Sequence, residues 1–287
     1  MAIREWRRGL AELHGLESAE TGIIPSEGLD EIVEGGLVET VAEVGNKSSI
    51  EEAYQQASAE TEPAIKEEEI VPSIHTRLRH HIVEMPAEIQ KASGINIFGR
   101  RIKSIVFSTD LAIIKNCDAD AVFAVYPFTP QQSISDALIK ASAIPVFTGV
   151  GGGTTKGPRI IGLARDAESQ GAYGVVLNSP VTNRNLRSVA MAVDIPVIMT
   201  VTSDRTNIRD RLRYGASIFN VAAGRNTPEI VRMIDERYPD VPIIASGGTT
   251  PESILATIEA GANAITYTPP SSKELFSDMM KRYRENY

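Results

Sequence analysis

The segment TGVGGGTTKGPR, residues 148–159, holds the densest set of groups able to bind an anion. Three consecutive glycines, Gly151, Gly152 and Gly153, let backbone N–H groups converge on one point, and Lys156 and Arg159 bring positive charge to it. It is not a Walker loop, because Lys156 is followed by Gly157 and not by Ser or Thr. Long glycine-bearing loops also turn for geometric reasons alone, or close as lids, and those readings stand beside the anion one. A second pair, Gly247 and Gly248 in SGGTTPESI, comes just before a run with helix-start signals. The unpaired amides and dipole of such a helix end can hold phosphate, although a tight strand-to-helix turn would ask for the same glycines.

Arg225, in FNVAAGRNTPEI, precedes a helix with Pro228 in its first turn. It can clamp a carboxylate or phosphate through two N–H groups, or pair with a neighbouring acid. For proton transfer the candidates are Asp110 and Asp204, each just past an apolar run, and each is equally suited to cap a helix. No lysine ends an apolar run, which argues against a Schiff-base mechanism unless Lys156 reaches inward. Asn178, Thr200, Asn220 and Thr268 add amides and hydroxyls, a lining that suits an oxyanion or sugar-like ligand. The histidines His14, His75, His80 and His81 all precede residue 82, so no His/Asp metal site is expected among these groups. The single cysteine, Cys117, falls on an expected helix and reads as a small packing residue.

What positions these groups is a repeat. Ile144-Pro145, Ile195-Pro196 and Val241-Pro242 each open a short apolar run, and the prolines lie 51 and 46 residues apart. Interleaved runs follow Gly171-Ala172, Gly215-Ala216 and Gly261-Ala262, spaced by 44 and 46, and Asp118-Ala119 introduces another. Eight strands result: 103–108, 121–125, 145–149, 173–177, 196–200, 217–221, 242–246 and 264–268, with helices between them. They are continuous apolar runs, so both faces of the sheet are covered, and none reads polar enough to be an edge. The fold class is therefore α/β, a (β/α)8 TIM barrel over 101–287, with the site at the C-terminal ends of its strands.

Residues 1–100 follow other rules. An acidic, helical N-terminal extension or arm spans 1–70, with 17 acidic and 5 basic side chains, a net of −12 within a chain of net charge −8. Residues 71–100 read as two helices, a basic one from Ser73 to Pro86 and a second in PAEIQKAS, capping the barrel floor. With 42% hydrophobic and 23% charged residues the chain can bury a large core. No apolar stretch approaches the ~20 residues of a membrane span, and no Lys/Arg stripe with interleaved aromatics marks a nucleic-acid surface. The expectation is a cytoplasmic homo-oligomer whose partner is a small anionic metabolite, with no nucleic acid and no membrane.

The stretch IIASGGTTPESILATIEAGANAITY resembles the phosphate-binding aldolase-type barrels, among them N-acylmannosamine-6-phosphate epimerases, thiamin phosphate synthases and flavin-dependent nitronate oxidases. It departs from them after the eighth strand, where Thr268-Pro269-Pro270-Ser271 replaces the usual Gly-Ser or Gly-Thr. NVAAGRNTPEIV, AITYTPPSS and GVGGGTTKG together resemble a set of bacterial β/α-barrel proteins labelled hydrolases, a label that no nucleophile with its base, and no metal set, supports here. The resemblance implies an enzyme on a small phosphorylated or carboxylated metabolite, of lyase or isomerase type. Gly247, Gly248 and Arg225 would hold the anion, and Asp110 or Lys156 would move the proton. No cofactor is required on this reading. Its rivals are an FMN-binding oxidoreductase barrel, with the same glycine pair on the FMN phosphate, and a non-catalytic sensor or assembly protein that recruits a partner through residues 1–70.

Overall fold

The computed structural model describes Ile74 and residues 82–285 of the 287-residue chain. The arm expected over 1–70 and all four histidines lie outside these residues. Eight parallel strands close into a barrel: β3 (Ser104–Phe107), β4 (Ala121–Ala124), β5 (Val146–Gly151), β6 (Gly174–Leu177), β7 (Val197–Val201), β8 (Ile218–Val221), β9 (Ile243–Ser246) and β10 (Ala264–Tyr267). The ring shuts where β10 pairs with β3, Ile265 opposite Ser104 and Tyr267 opposite Val106. Around it run α1 (Leu111–Lys115), α2 (Gln132–Ala141), α3 (Pro158–Ser169), α4 (Asn183–Ala190), α5 (Ile208–Arg213), α6 (Thr227–Arg237), α7 (Pro251–Glu259) and α8 (Ser272–Glu285). This is the expected (β/α)8 fold, with each strand within about two residues of its expected bounds. Among the described residues no helix is long and apolar enough to cross a membrane.

The Pro and Gly-Ala signals that marked the repeat have simple backbone roles. Pro145, Pro196 and Pro242 cannot donate to the sheet, but their carbonyls accept from Val122, Val175 and Phe219 of the neighbouring strands at 2.8–3.1 Å. Each therefore starts a strand without leaving a donor unpaired. Gly171, Gly215 and Gly261 end α3, α5 and α7 with φ of +95°, +99° and +110°, the left-handed turn that sends the chain back to the barrel.

The floor is closed differently from expectation. Over its described part, 82–86, the helix expected from Ser73 to Pro86 does not form; Val83 instead bridges Cys117, which itself lies past the end of α1 and not on a helix. Pro86 then stops any helical continuation, and PAEIQKAS makes only a short 3₁₀ turn, Ala87–Lys91. The plug is an antiparallel hairpin, β1 (Ile95–Ile97) and β2 (Arg100–Ile102). Its turn residues Phe98 and Gly99 have φ of +48° and +79°, both positive as in the tight primed turns that match strand twist. Phe98 is the one described non-glycine residue with positive φ, and its ring meets the edge of Tyr173 at 5.5 Å. The period of two sends Ile95, Ile97 and Ile102 into the barrel lumen, where they pack with Ile105, Phe123, Phe147, Ile198, Ile218 and Ile244.

Candidate functional site

The lumen changes character within one pleat. On β6 to β10 the buried residues Val176, Ile198, Ile218, Ile244 and Ala264 face the axis, and two residues further along the side chains on the same face are Asn178, Thr200, Asn220, Ser246 and Thr266. Gly149 follows Phe147 in the same way, and Val125 and Phe107 complete the ring, Phe107 stacked over Phe123 at 6.3 Å. A neutral polar collar thus sits on an apolar floor. Thr266 donates to the Ala245 carbonyl at 3.2 Å. Asn220 is only 6% exposed, and its Nδ2 reaches Thr200 Oγ1 at the long distance of 3.5 Å. Its Oδ1 is buried with no hydrogen-bond partner among the described residues. A buried acceptor left unpaired costs roughly 1–3 kcal/mol, so a donor meeting Asn220 Oδ1 would be stabilising. Thr266 was not singled out in the sequence, yet its place two residues past lumen-facing Ala264 was a readable signal. Thr148, counted with the glycine loop, faces the other way and bonds Ser135 of α2.

Beside the collar lies a cavity of about 410 Å³ lined by Val125, Tyr126, Thr129, Gly149, Gly151, Gly153, Thr154, Thr155 and Asn178, with three further residues of the β4 exit loop. Here the glycines separate by role. Gly151 and Gly152 have φ of +131° and +114°, and a Cβ on Gly152 would come within 2.8 Å of the Asn178 backbone. They are needed where β5 bulges against the exit of β6, with Asn178 N–H donating to the Gly151 carbonyl at 2.9 Å. The Gly152 N–H turns back to the Thr155 carbonyl at 3.2 Å. Gly153 faces open space, and among the described residues no acceptor takes the N–H of Gly153 or Thr154. Lys156 and Arg159 are exposed just beyond these two residues. Tyr126 accepts the Gln131 N–H on its phenolic oxygen at 2.8 Å, which leaves the phenol proton free to be donated.

The other predicted groups also follow strand ends, and Asp110, Asp204, Gly247 and Gly248 take part in local structure there. Asp110 caps α1, taking the Ala112 N–H at 2.8 Å on Oδ1, and its Oδ2 accepts the Ser272 hydroxyl from the start of α8. The Ser272 hydroxyl, together with the Ala112 and Ile113 amides, holds the Asp110 carboxyl below its usual range against a smaller opposing effect of burial. Asp204 is exposed and bonds Ser203 Oγ at 3.0 Å; the cap of α5 is Asn207 instead. Arg225 is exposed in a 3₁₀ turn, Gly224–Asn226, ahead of α6, and Thr268 is exposed past β10. Gly247 is buried where a Cβ would meet Ile265 at 2.7 Å, and Gly248 turns at φ +80° with Ser253 Oγ in the space a side chain would need. At the start of α7, Thr250 and Ser253 cap each other, and Glu252 adds negative charge to the first turn. The structure therefore brings together Gly151, Gly153 and Asn178 at the cavity and Thr200 and Asn220 in the adjoining collar.

Among the described residues no three His, Cys, Asp or Glu side chains converge to hold a metal ion. A divalent ion of the magnesium type prefers carboxylate oxygens, whereas the collar offers amides and hydroxyls. No family model and no curated protein matches the sequence. Solved structures do resemble it. A phosphonopyruvate hydrolase aligns with TM-score 0.52 at 13% identity, over 67% of this chain and 85% of its own. The complex of phosphonopyruvate hydrolase with oxalate and Mg++ gives 0.51 at 12%, over 65% and 83%. A 2,3-dimethylmalate lyase, described as a PEP mutase/isocitrate lyase superfamily member, gives 0.50 at 12%, over 69% and 84%. At these identities the likeness is one of fold, the (β/α)8 barrel.

Proposed function

We propose that this protein is an enzyme of lyase or isomerase type acting on a small phosphorylated or carboxylated metabolite bound in the barrel mouth. The observation that carries the reading is the polar collar with its unpaired Asn220 oxygen, joined through Asn178 to the cavity that Gly153 and Thr154 line. The Gly153 and Thr154 amides receive an oxyanion, Asn178, Thr200 and Asn220 meet the ligand's remaining polar atoms, and Lys156 and Arg159 draw the anion in. Tyr126, at the cavity wall, and Lys156 are the groups fitted to move a proton. Asp110 serves better as a helix cap, because a carboxylate held ionised by its donors is a weak base. Similarity in fold to barrels named for phosphonopyruvate and dimethylmalate supports the choice of small acid ligands to try. An FMN phosphate would need the start of α7, whose amides Thr250 and Ser253 already cap.

The test is a thermal-shift screen of inorganic phosphate, phosphonopyruvate, oxalate, 2,3-dimethylmalate and FMN, since a ligand at ~100 times its Kd stabilises by about 2.7 kcal/mol. At least one of the acids is expected to raise Tm, and Asn220→Ala and Gly153→Asp to abolish the rise. Any hit is then followed by NMR in D2O for exchange or loss of its C–H signals. An unmoved Tm across the acids, or variants that respond like the parent, overturns the reading.

A further inference from the structure

We propose that the rim carries a second anion pocket, separate from the mouth, in which Arg205 and Arg211 take a phosphate or carboxylate group. The pocket lies between the loops leaving β6 and β7, and has a volume of about 370 Å³. Val181, Thr182, Asn183, Arg205, Thr206, Asn207 and Arg211 line it, and no Asp or Glu is among them. Arg211 rises from α5 and is half-buried, with Nη1 donating to the Val181 carbonyl at 2.8 Å and to Asn183 Oδ1 at 2.6 Å. Its Nη2 reaches the Ser179 carbonyl only at 3.5 Å. Every acceptor it has is neutral. The nearest acid in sequence, Asp210, is turned to Asn207 Nδ2 at 2.9 Å, and the ion pairs among the described residues are Lys140–Asp136 and Lys281–Glu285.

A guanidinium carries five N–H donors, so Arg211 keeps two that nothing here accepts. Burial accordingly pushes its pKa below the usual value, with Asp210 offsetting part of the effect. Arg211 is thus a partly desolvated cation with no ion-pair contact among the described residues, and the exposed Arg205 across the same cavity adds a second positive charge. The site is held ready by neutral bonds. Arg211 ties Val181 and Asn183 to α5, Thr202 Oγ1 meets Ser179 Oγ at 3.1 Å, and Thr182 and Asn207 cap α4 and α5. An oxyanion between the two arginines would complete both charges, with the amide of Asn183 and the hydroxyls of Thr182 and Thr206 at its edge.

The probe is inorganic phosphate titrated at low salt into the full chain and followed by backbone-amide NMR. Phosphate is expected to move the amide signals of Thr182, Asn183, Thr206 and Asn207 in the parent, and equally in Gly153→Asp, whose mouth cavity gains a carboxylate. Arg205→Ala should weaken that response about tenfold, the loss of one charge-assisted contact, with Arg205→Lys recovering part of it. Because Arg205 is exposed, its variants should keep the parent's unfolding midpoint, whereas Arg211→Gln also loosens the two loops and is read only alongside a folding measurement. Signals that stay still in the parent, or an Arg205→Ala protein that titrates like it, overturn the pocket. A response lost in Gly153→Asp and kept in Arg205→Ala sinks this pocket and leaves the mouth reading standing. The reverse pattern confirms this pocket, and because these four amides line it and not the mouth, it leaves the mouth reading to its own thermal-shift test.

Discussion

The floor and the mouth of the barrel are built on the same strands, one pleat apart, and they are chemically opposite. At the floor Val176, Ile198, Ile218 and Ile244 close on Phe123, Phe147 and the hairpin isoleucines. At the mouth the next axis-facing positions are Asn178, Thr200, Asn220 and Ser246. Hydrocarbon filling the first layer stabilises the barrel without any need for a ligand. The second layer leaves a buried oxygen of Asn220 unpaired, which lowers stability unless a donor meets it. A step of two residues along a strand thus separates the apolar layer that holds the fold from the polar layer that we propose binds the ligand.

Substitutions on the two sides of that step should therefore part company. The largest effect belongs to Phe147→Ala, which empties a fully buried ring from the floor: about 3–5 kcal/mol lost in chemical denaturation. A loss under about 1 kcal/mol would mean that the hairpin does not seal the floor as a packed layer. Opposite in sign, Asn220→Leu replaces the orphaned amide by hydrocarbon of similar size and should gain up to roughly 1–3 kcal/mol while abolishing the response to any mouth ligand. Were Asn220→Leu instead to destabilise by as much as a core cavity, the amide would be a structural partner and the contrast would fail.

Much of this division is legible in the residues. The proline and Gly-Ala rhythm foretold eight strands because both signals serve the local backbone, a strand start and a left-handed helix end, and nothing distant overrides them. The hairpin at 95–102 went unread because its turn is Phe98-Gly99 and not one of the usual Asn-Gly or Asp-Gly pairs. The glycine loop announced its location but not its division of labour, since only the approach of Asn178 shows why Gly151 and Gly152 are fixed and Gly153 is open. The arginine pocket was invisible for a different reason. Arg211 lies inside a helix and its acceptors Val181 and Asn183 stand about 30 residues away, so no spacing rule connects them.

The smallest effect tests the edge of the mouth. Asp110 stands at the exit of the first barrel strand, where a base would be sought, yet its oxygens are taken by Ala112 N–H and the Ser272 hydroxyl. Its pKa is lowered in the fold, so the native state holds fewer protons than the unfolded chain. The stabilisation is present above the usual carboxylate value of about 4 and disappears as pH falls through the lower folded value. Asp110→Asn should accordingly be less stable than the parent near neutrality, and the gap should narrow in acid, as followed by Tm against pH. Ser272→Ala, which removes the leading cause, should raise the Asp110 titration seen by carboxyl-carbon NMR, and neither change should touch ligand binding at the collar. A titration unmoved by Ser272→Ala would show that α8 is not held to Asp110. Loss of mouth binding in Asp110→Asn would move the boundary of the site outward to include it, because a residue serving only as a cap has no means of reaching the ligand.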